Sequence, residues 1–368
     1  MNRDSRTALE PLVDVTPRFH TAETETPQDW DALARHLSAH GMRFDPAHDR
    51  PQQIAAGYGN LNYLIVVDGV TRVLRRPPMG ELPPGANDMR REFTVLNAIG
   101  PVFPLAPKAL FHGADESVIK GQFVIMEYRP GLSIGGTMPE ALAAIPGIGE
   151  RLGSMLIDIL VEFHRIDPAA VGLGNFGKPE GFLARAVTGW HKRLLIASDD
   201  LPPPKAGVDV AEWLAAQAIP PSTPTLLHND FKLDNVLLDP ATLNPVTVLD
   251  WDQGSRGDPL FDLATLLSYW AEPGDPPAML ALDQMPTARH GFPRRRDVLE
   301  RYAKATGRDV SDFLFHRVLT MLKLGVVFQQ IYARYRRGDS KDERYARFGP
   351  IVDGLFEFAH DIARGRAF

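Results

Sequence analysis

The stretch that decides the fold is 225–262, TLLHNDFKLDNVLLDPATLNPVTVLDWDQGSRGDPLFD. Apolar runs at 225–228, 236–239 and 246–250 read as short strands bounded by turn-forming residues. Between the first two lies His228-Asn229-Asp230-Phe231-Lys232-Leu233-Asp234-Asn235, and the third run ends in Asp250. A hairpin from 236–239 to 246–250 brings Asn235 and Asp250 to one edge.

The spacing H-x-D-x-x-x-x-N, with a further Asp after the next hairpin, matches a kinase catalytic loop. Phosphate transfer needs these residue types. One carboxylate accepts the proton of the attacking hydroxyl, and Asp230 fits. An amide oxygen and a second carboxylate hold Mg²⁺ against the phosphates of ATP, and Asn235 and Asp250 fit. Lys232, two residues after Asp230, is expected to lend charge to the transferring phosphate. His228 is expected to brace the loop backbone and not to bind zinc, since none of the 11 His forms an H-E-x-x-H pair.

Working outward, Leu61–Val67 and Val70–Arg76 flank Asp68-Gly69, a hairpin signal. Arg75 stands on the return strand where kinases carry a phosphate-clamping lysine. Glu92, on the expected helix 89–99, stands where that cation's carboxylate partner belongs. Gly57, Gly59 and Asn60 could cradle phosphates through backbone N–H groups. The same segment reads equally as a plain turn. Glu127 and Tyr128 end the strand 121–128, where backbone groups could read an adenine edge.

Helical spacing predicts helices at 30–40, 152–164, 180–197, 209–217, 260–270, 293–306, 310–337 and 341–365. A further strand is expected at 106–112. The expected domains are a loose, flexible N-terminal arm at 1–27, a nucleotide-binding lobe at 28–130 and a catalytic and acceptor lobe at 131–368.

The chain has 368 residues, 44% hydrophobic and 23% charged, with a net charge of −6 and no cysteine. Disulfides, thiolate metal sites and cysteine nucleophiles are excluded. The acidic balance argues against non-specific nucleic-acid binding. With no apolar leader and no run of membrane-spanning length, a cytoplasmic protein without membrane contact is expected.

At these motifs the sequence resembles the aminoglycoside phosphotransferase and choline kinase group. Asp250-Trp251-Asp252, Gly257-Asp258-Pro259 and Asp262-Leu263-Ala264 look like that group's signature. Asp258 is expected to cap a helix and Asp262 to brace the loop. Val73–Pro78, His164–Pro168, Gly172–Gly177 and Gln330-Ile331-Tyr332 with Arg334 are similar to the kinase-like domain fused to some acyl-CoA dehydrogenases. The resemblance implies an α+β, bilobal, protein-kinase-like fold, with a small β-rich N-lobe and a larger, mainly helical C-lobe. It also implies ATP and Mg²⁺. It departs at Arg75, which replaces the usual lysine but offers phosphate a planar fork. Residues 132–138 (LSIGGTM) are unusually small for a segment that, by resemblance, lies near the acceptor.

The expected activity is transfer of the γ-phosphate to a hydroxyl of a small molecule, with a hydroxyacyl-CoA or hydroxy acid favoured. The alternatives are an aminoglycoside or choline-type kinase and a nucleotide-binding pseudokinase scaffold. A protein kinase would carry a long activation segment ending in A-P-E, and none is present. Arg294–Arg296, Arg334, Arg336 and Arg337 could attract a CoA ester, or could form solvated helix faces. The sequence leaves the oligomeric state open.

Overall fold

The computed structural model describes residues 12–55, 59–80, 87–198, 201–339 and 343–368. Its strands are β1 (Gln52–Gln53), β2 (Leu61–Val67), β3 (Val70–Arg76), β4 (Ala109–Gly113), β5 (Phe123–Glu127), β6 (Thr225–Leu227), β7 (Val236–Leu238), β8 (Pro245–Val248) and β9 (Ser255–Gly257). The first helices are α1 (Trp30–Ala39), α2 (Met89–Ile99), α3 (Glu116–Ile119), α4 (Glu140–Ala143), α5 (Ile148–His164) and α6 (Phe182–Ser198). They are followed by α7 (Lys205–Ala216), α8 (Pro259–Tyr269), α9 (Pro277–Leu282), α10 (Arg295–Thr306), α11 (Phe313–Arg336) and α12 (Gly349–Ala363).

The chain divides into two compact units, 1–133 with 235–254, and 134–234 with 255–368. The 235–254 hairpin, however, clusters with the first unit and not with the C-terminal region in which sequence order had placed it.

In the first unit, five antiparallel strands run in the order β1-β2-β3-β5-β4. β2 alternates as its pattern requires, burying Tyr63, Ile65 and Val67 on one face. These pack with Leu33 and Leu37 of α1 and with Leu74, Phe123 and Ile125. Asp68 and Gly69 both take positive φ, 53° and 76°, as the tight β2–β3 hairpin demands. The described part of the expected arm is not loose. Phe19 bridges to Ile54, and the Thr26 N–H donates to Gln53 Oε1 at 2.6 Å. β7 and β8 form a separate hairpin, with Val236 opposite Val248.

The second unit is mainly helical. α8 is buried along its whole length, and α11 packs against α6, α7, α8 and α12. Gly325 permits the close approach of α11 and α12, because a Cβ there would meet the Phe356 ring at 2.5 Å. The expected helix 341–365 is in fact a 3₁₀ turn at Glu343–Phe348 followed by α12. Among the described residues, no helix is long and apolar enough to cross a membrane.

Candidate active site

In the first unit, the β7–β8 register sets the hairpin edge. Leu249 donates its N–H to the Asn235 carbonyl at 2.8 Å, which places Asn235 and Asp250 side by side in the chain path. Asp250 has φ of +68°, a left-handed conformation that turns the strand abruptly. The following Trp251 is buried and anchors the turn by donating its indole N–H to the Val248 carbonyl at 2.8 Å.

Arg75, near the end of β3, is the hub of this unit. Its Nε lies 2.9 Å from Glu92 Oε2, and its Nη2 pairs with Asp250 and lies 3.8 Å from Asp252 Oδ2. Burial works against its charge, yet Asp250, Glu92 and Asp252 together hold the guanidinium above its ordinary range. Burial and the neighbouring Asp250 push the Asp252 carboxyl up to about 8, and Arg75 only partly offsets this. Glu92 is likewise raised, by burial first. Its other oxygen accepts the Trp251 N–H at 3.3 Å.

The paired Arg75 and Glu92 were named from sequence, but Asp252 was seen only as part of a signature. Its Oδ2 accepts from the Asn60 amide at 2.9 Å, and Asn87 donates to Asn60 Oδ1 at 2.9 Å. The Asn60 side chain thus holds the cluster, whatever its backbone does. Gly59 is adjacent, while Gly57 lies outside the described residues. Glu127 does not join the cluster. Its carboxylate accepts from Arg129 at 2.9 Å and from the Lys108 N–H at 3.1 Å, which keeps it below its usual range although burial opposes this. Tyr128 is half-buried, and burial raises its hydroxyl pKa.

Three carboxylates therefore share one guanidinium, and the buried Asp252 Oδ1 has no hydrogen-bond partner among the described residues. Acids raised by burial and by one another would be stabilised in their charged forms by an added cation. Asp250 and Asn235 supply hard oxygen donors of the kind Mg²⁺ takes, and Mg²⁺ commonly relies on one or two carboxylates plus nucleotide phosphates. The donor set fits.

The second unit holds Asp230 and Lys232. The loop that carries them is pinned at its start by the buried Asp262, whose two oxygens accept the His228 and Asn229 N–H groups, each at 2.6 Å. Asn229 has φ of +66°, and its carbonyl accepts from the buried Lys323 ammonium. Its amide donates to Ser255 Oγ at 2.8 Å. His228 Nδ1 accepts the Asp230 N–H at 3.3 Å, so the expected bracing role holds. Asp258 caps α8 through the Leu260 N–H at 2.8 Å, as expected.

On this frame, Tyr269 donates its hydroxyl to Asp230 Oδ1 at 3.0 Å. Lys232 Nζ lies 2.8 Å from Asp234 Oδ2, 4.0 Å from Asp230 Oδ2 and 5.5 Å above the Tyr269 ring. Tyr269 and Lys323 were missed from sequence. Lys323 did leave a signal, as the lone cation in the apolar run LTMLKLGVV. Arg295, offered as a basic group for an acceptor, is buried instead, bound to Asp275 and to the Trp270 carbonyl.

A family model described as the phosphotransferase enzyme family matches residues 50–298, more than half of the sequence. The chain belongs to this family. Acyl-CoA dehydrogenase family member 11 of Rattus norvegicus is 30% identical over 349 residues, which cover 91% of this phosphotransferase and 43% of the rat protein. The chain spans less than half the length of the curated relatives it matches. A candidate aminoglycoside phosphotransferase from Ralstonia eutropha superposes with a TM-score of 0.73 at 24% identity, covering 92% of this chain and 99% of that one. A thermostable mutant of the aminoglycoside phosphotransferase APH(4)-Ia, solved with AMP-PNP and hygromycin B, superposes with a TM-score of 0.51 at 16% identity, covering 84% and 93%. At these identities the likeness is one of fold. It bears out the expected class, a small antiparallel sheet followed by a larger helical region.

Proposed function

We propose that this phosphotransferase moves the γ-phosphate of ATP to a hydroxyl of a small molecule, with Mg²⁺ as the metal. The observation that carries the reading is the braced loop, on which Asp230 is restrained by the Tyr269 hydroxyl and by Lys232 at 4.0 Å. A carboxylate so held suits the weakly acidic O–H of an alcohol, which becomes acidic only during attack. The acceptor oxygen bonds to the γ-phosphorus, the bond to the β-phosphate oxygen breaks, Asp230 takes the proton, and ADP leaves. Lys232 contributes positive charge as the equatorial oxygens gain negative charge. Asn235 and Asp250 would hold the metal, which neutralises phosphate charge when bound. Arg75, kept charged by its carboxylates, faces the nucleotide phosphates, with Glu92 fixing its direction. The backbone at Gly59 and Asn60 and at Glu127 and Tyr128 is proposed to contact the nucleotide.

Among alcohols we favour a hydroxy acid or hydroxyacyl thioester, because the matched relatives are named for acyl-CoA chemistry. The test is ADP release with Mg²⁺–ATP against hydroxyacyl-CoAs, simple alcohols, amino sugars and choline-like amines. Turnover of the thioesters is expected. Turnover of amino sugars or choline alone would move the assignment to those kinases. Nucleotide binding without ADP release for any acceptor would favour the scaffold reading.

A further inference from the structure

Beside the catalytic loop, the second unit holds a cavity of about 310 Å³. Its walls are mainly apolar, with Ala271, Met279, Leu280, Leu282 and Pro286 among them. Two wall residues also touch the loop. Tyr269 donates its hydroxyl to Asp230, and Met285 Sδ accepts the Leu233 N–H at 3.4 Å. One wall residue, Tyr269, is therefore hydrogen-bonded to the carboxylate proposed to take the acceptor's proton.

The charged wall residues, Asp283 and Arg289, pair with each other at 3.5 Å and leave no net charge to attract an ion. The turn they stand on is held in an unusual shape. Asp283 has φ of +51°, and a Cβ added at Gly136 would sit 2.0 Å from the Asp283 carbonyl oxygen. Gly136, one of the small residues singled out at 132–138, thus admits the wall of the cavity by lacking a side chain.

An alkyl chain entering these walls loses only its contact with water, which is favourable. Ammonium groups of a polycationic sugar would enter without matching carboxylates, which is costly. We infer that this cavity is the acceptor subsite, and that it takes the aliphatic chain of an alcohol whose hydroxyl is presented to Asp230. The inference rests on the phosphotransferase reading above.

The test uses 1,2-butanediol, 1,2-hexanediol and 1,2-octanediol with the whole protein. Calorimetric titration reads binding, and ADP release with Mg²⁺–ATP reads transfer. Affinity should rise about fourfold per added methylene until the cavity is full. Leu280→Glu places a charge on the wall at a residue 42% exposed, so the fold should accept it. Ala288→Phe fills the same space from the other side, and circular dichroism checks that each variant is folded. Both should flatten the rise to within about twofold across the series. Transfer that ignores chain length, or a rise that survives in both variants, would overturn the inference and leave the phosphotransferase reading standing. Graded binding with no phosphate transferred to any diol would contradict the reaction itself, and the acceptor role with it.

Discussion

Around Arg75 in the first unit, one guanidinium serves three carboxylates, whereas around Asp230 in the second, one carboxylate is surrounded by donors. In the first cluster the buried acids Glu92 and Asp252 are pushed toward their neutral forms. In the second, the loop N–H groups, carbonyl and amide are matched by Asp262, Lys323 and Ser255. On the function proposed above, the difference is one of task. The acid-rich cluster would be completed by a cation arriving with its ligand, while a base that must accept one proton is best held rigid and already solvated by protein.

The largest effect should come from removing the hub. Arg75→Ala removes the guanidinium that Glu92, Asp250 and Asp252 share, and stability in urea should fall by about 3–5 kcal/mol, with Arg75→Lys recovering part of it. An Ala variant as stable as the parent would end the claim that one cation holds this cluster. Next is Lys232→Met, which tests the donor-rich side. We expect kcat to fall roughly 10- to 100-fold with little change in the KM for ATP. An unchanged kcat would make Lys232 a partner of Asp234 and nothing more.

The smallest effect is the second unit's share of the pH dependence. Burial lowers the His164 pKa, and its Nε2 lies 3.3 Å from Asp262. In the unfolded chain it binds a proton near its ordinary value, about 6.5. The unfolded state therefore takes up protons that the native state refuses, and stability falls as pH drops below about 6.5. Asp262, held low by His164 against the effect of burial, adds a second loss below about 3.8. Asp252 and Glu92, raised in the native state, change stability in the opposite direction, so His164 is read by difference: from pH 7.5 to 5.5 the Tm of His164→Gln should gain on that of the parent. A Tm difference between variant and parent that is the same at both pH values would contradict the neutral assignment.

The catalytic loop, its hairpin and the Arg75–Glu92 pair were legible because their signals are local, in residue spacing and strand position. The roles of Asp258 and Asp262 came from the resemblance to the family's signature. Tyr269 and Lys323 were not legible as partners of the loop, since they reach Asp230 and Asn229 from 39 and 94 residues further along the chain. Asp252 hid for a different reason. Its importance comes from burial beside Asp250, which no spacing reveals. The walls of the acceptor cavity come from α9 and Pro-broken turns, too short to carry a period.

The division of labour between the two regions can be measured directly by titrating ATP, with and without Mg²⁺, into the Asp230→Ala and Asp250→Ala variants. Asp230→Ala should bind Mg²⁺–ATP nearly as the parent does while losing phosphate transfer by about 100-fold or more. Asp250→Ala should lose the gain in ATP affinity that Mg²⁺ provides. Equal loss of ATP affinity in both variants would contradict the account.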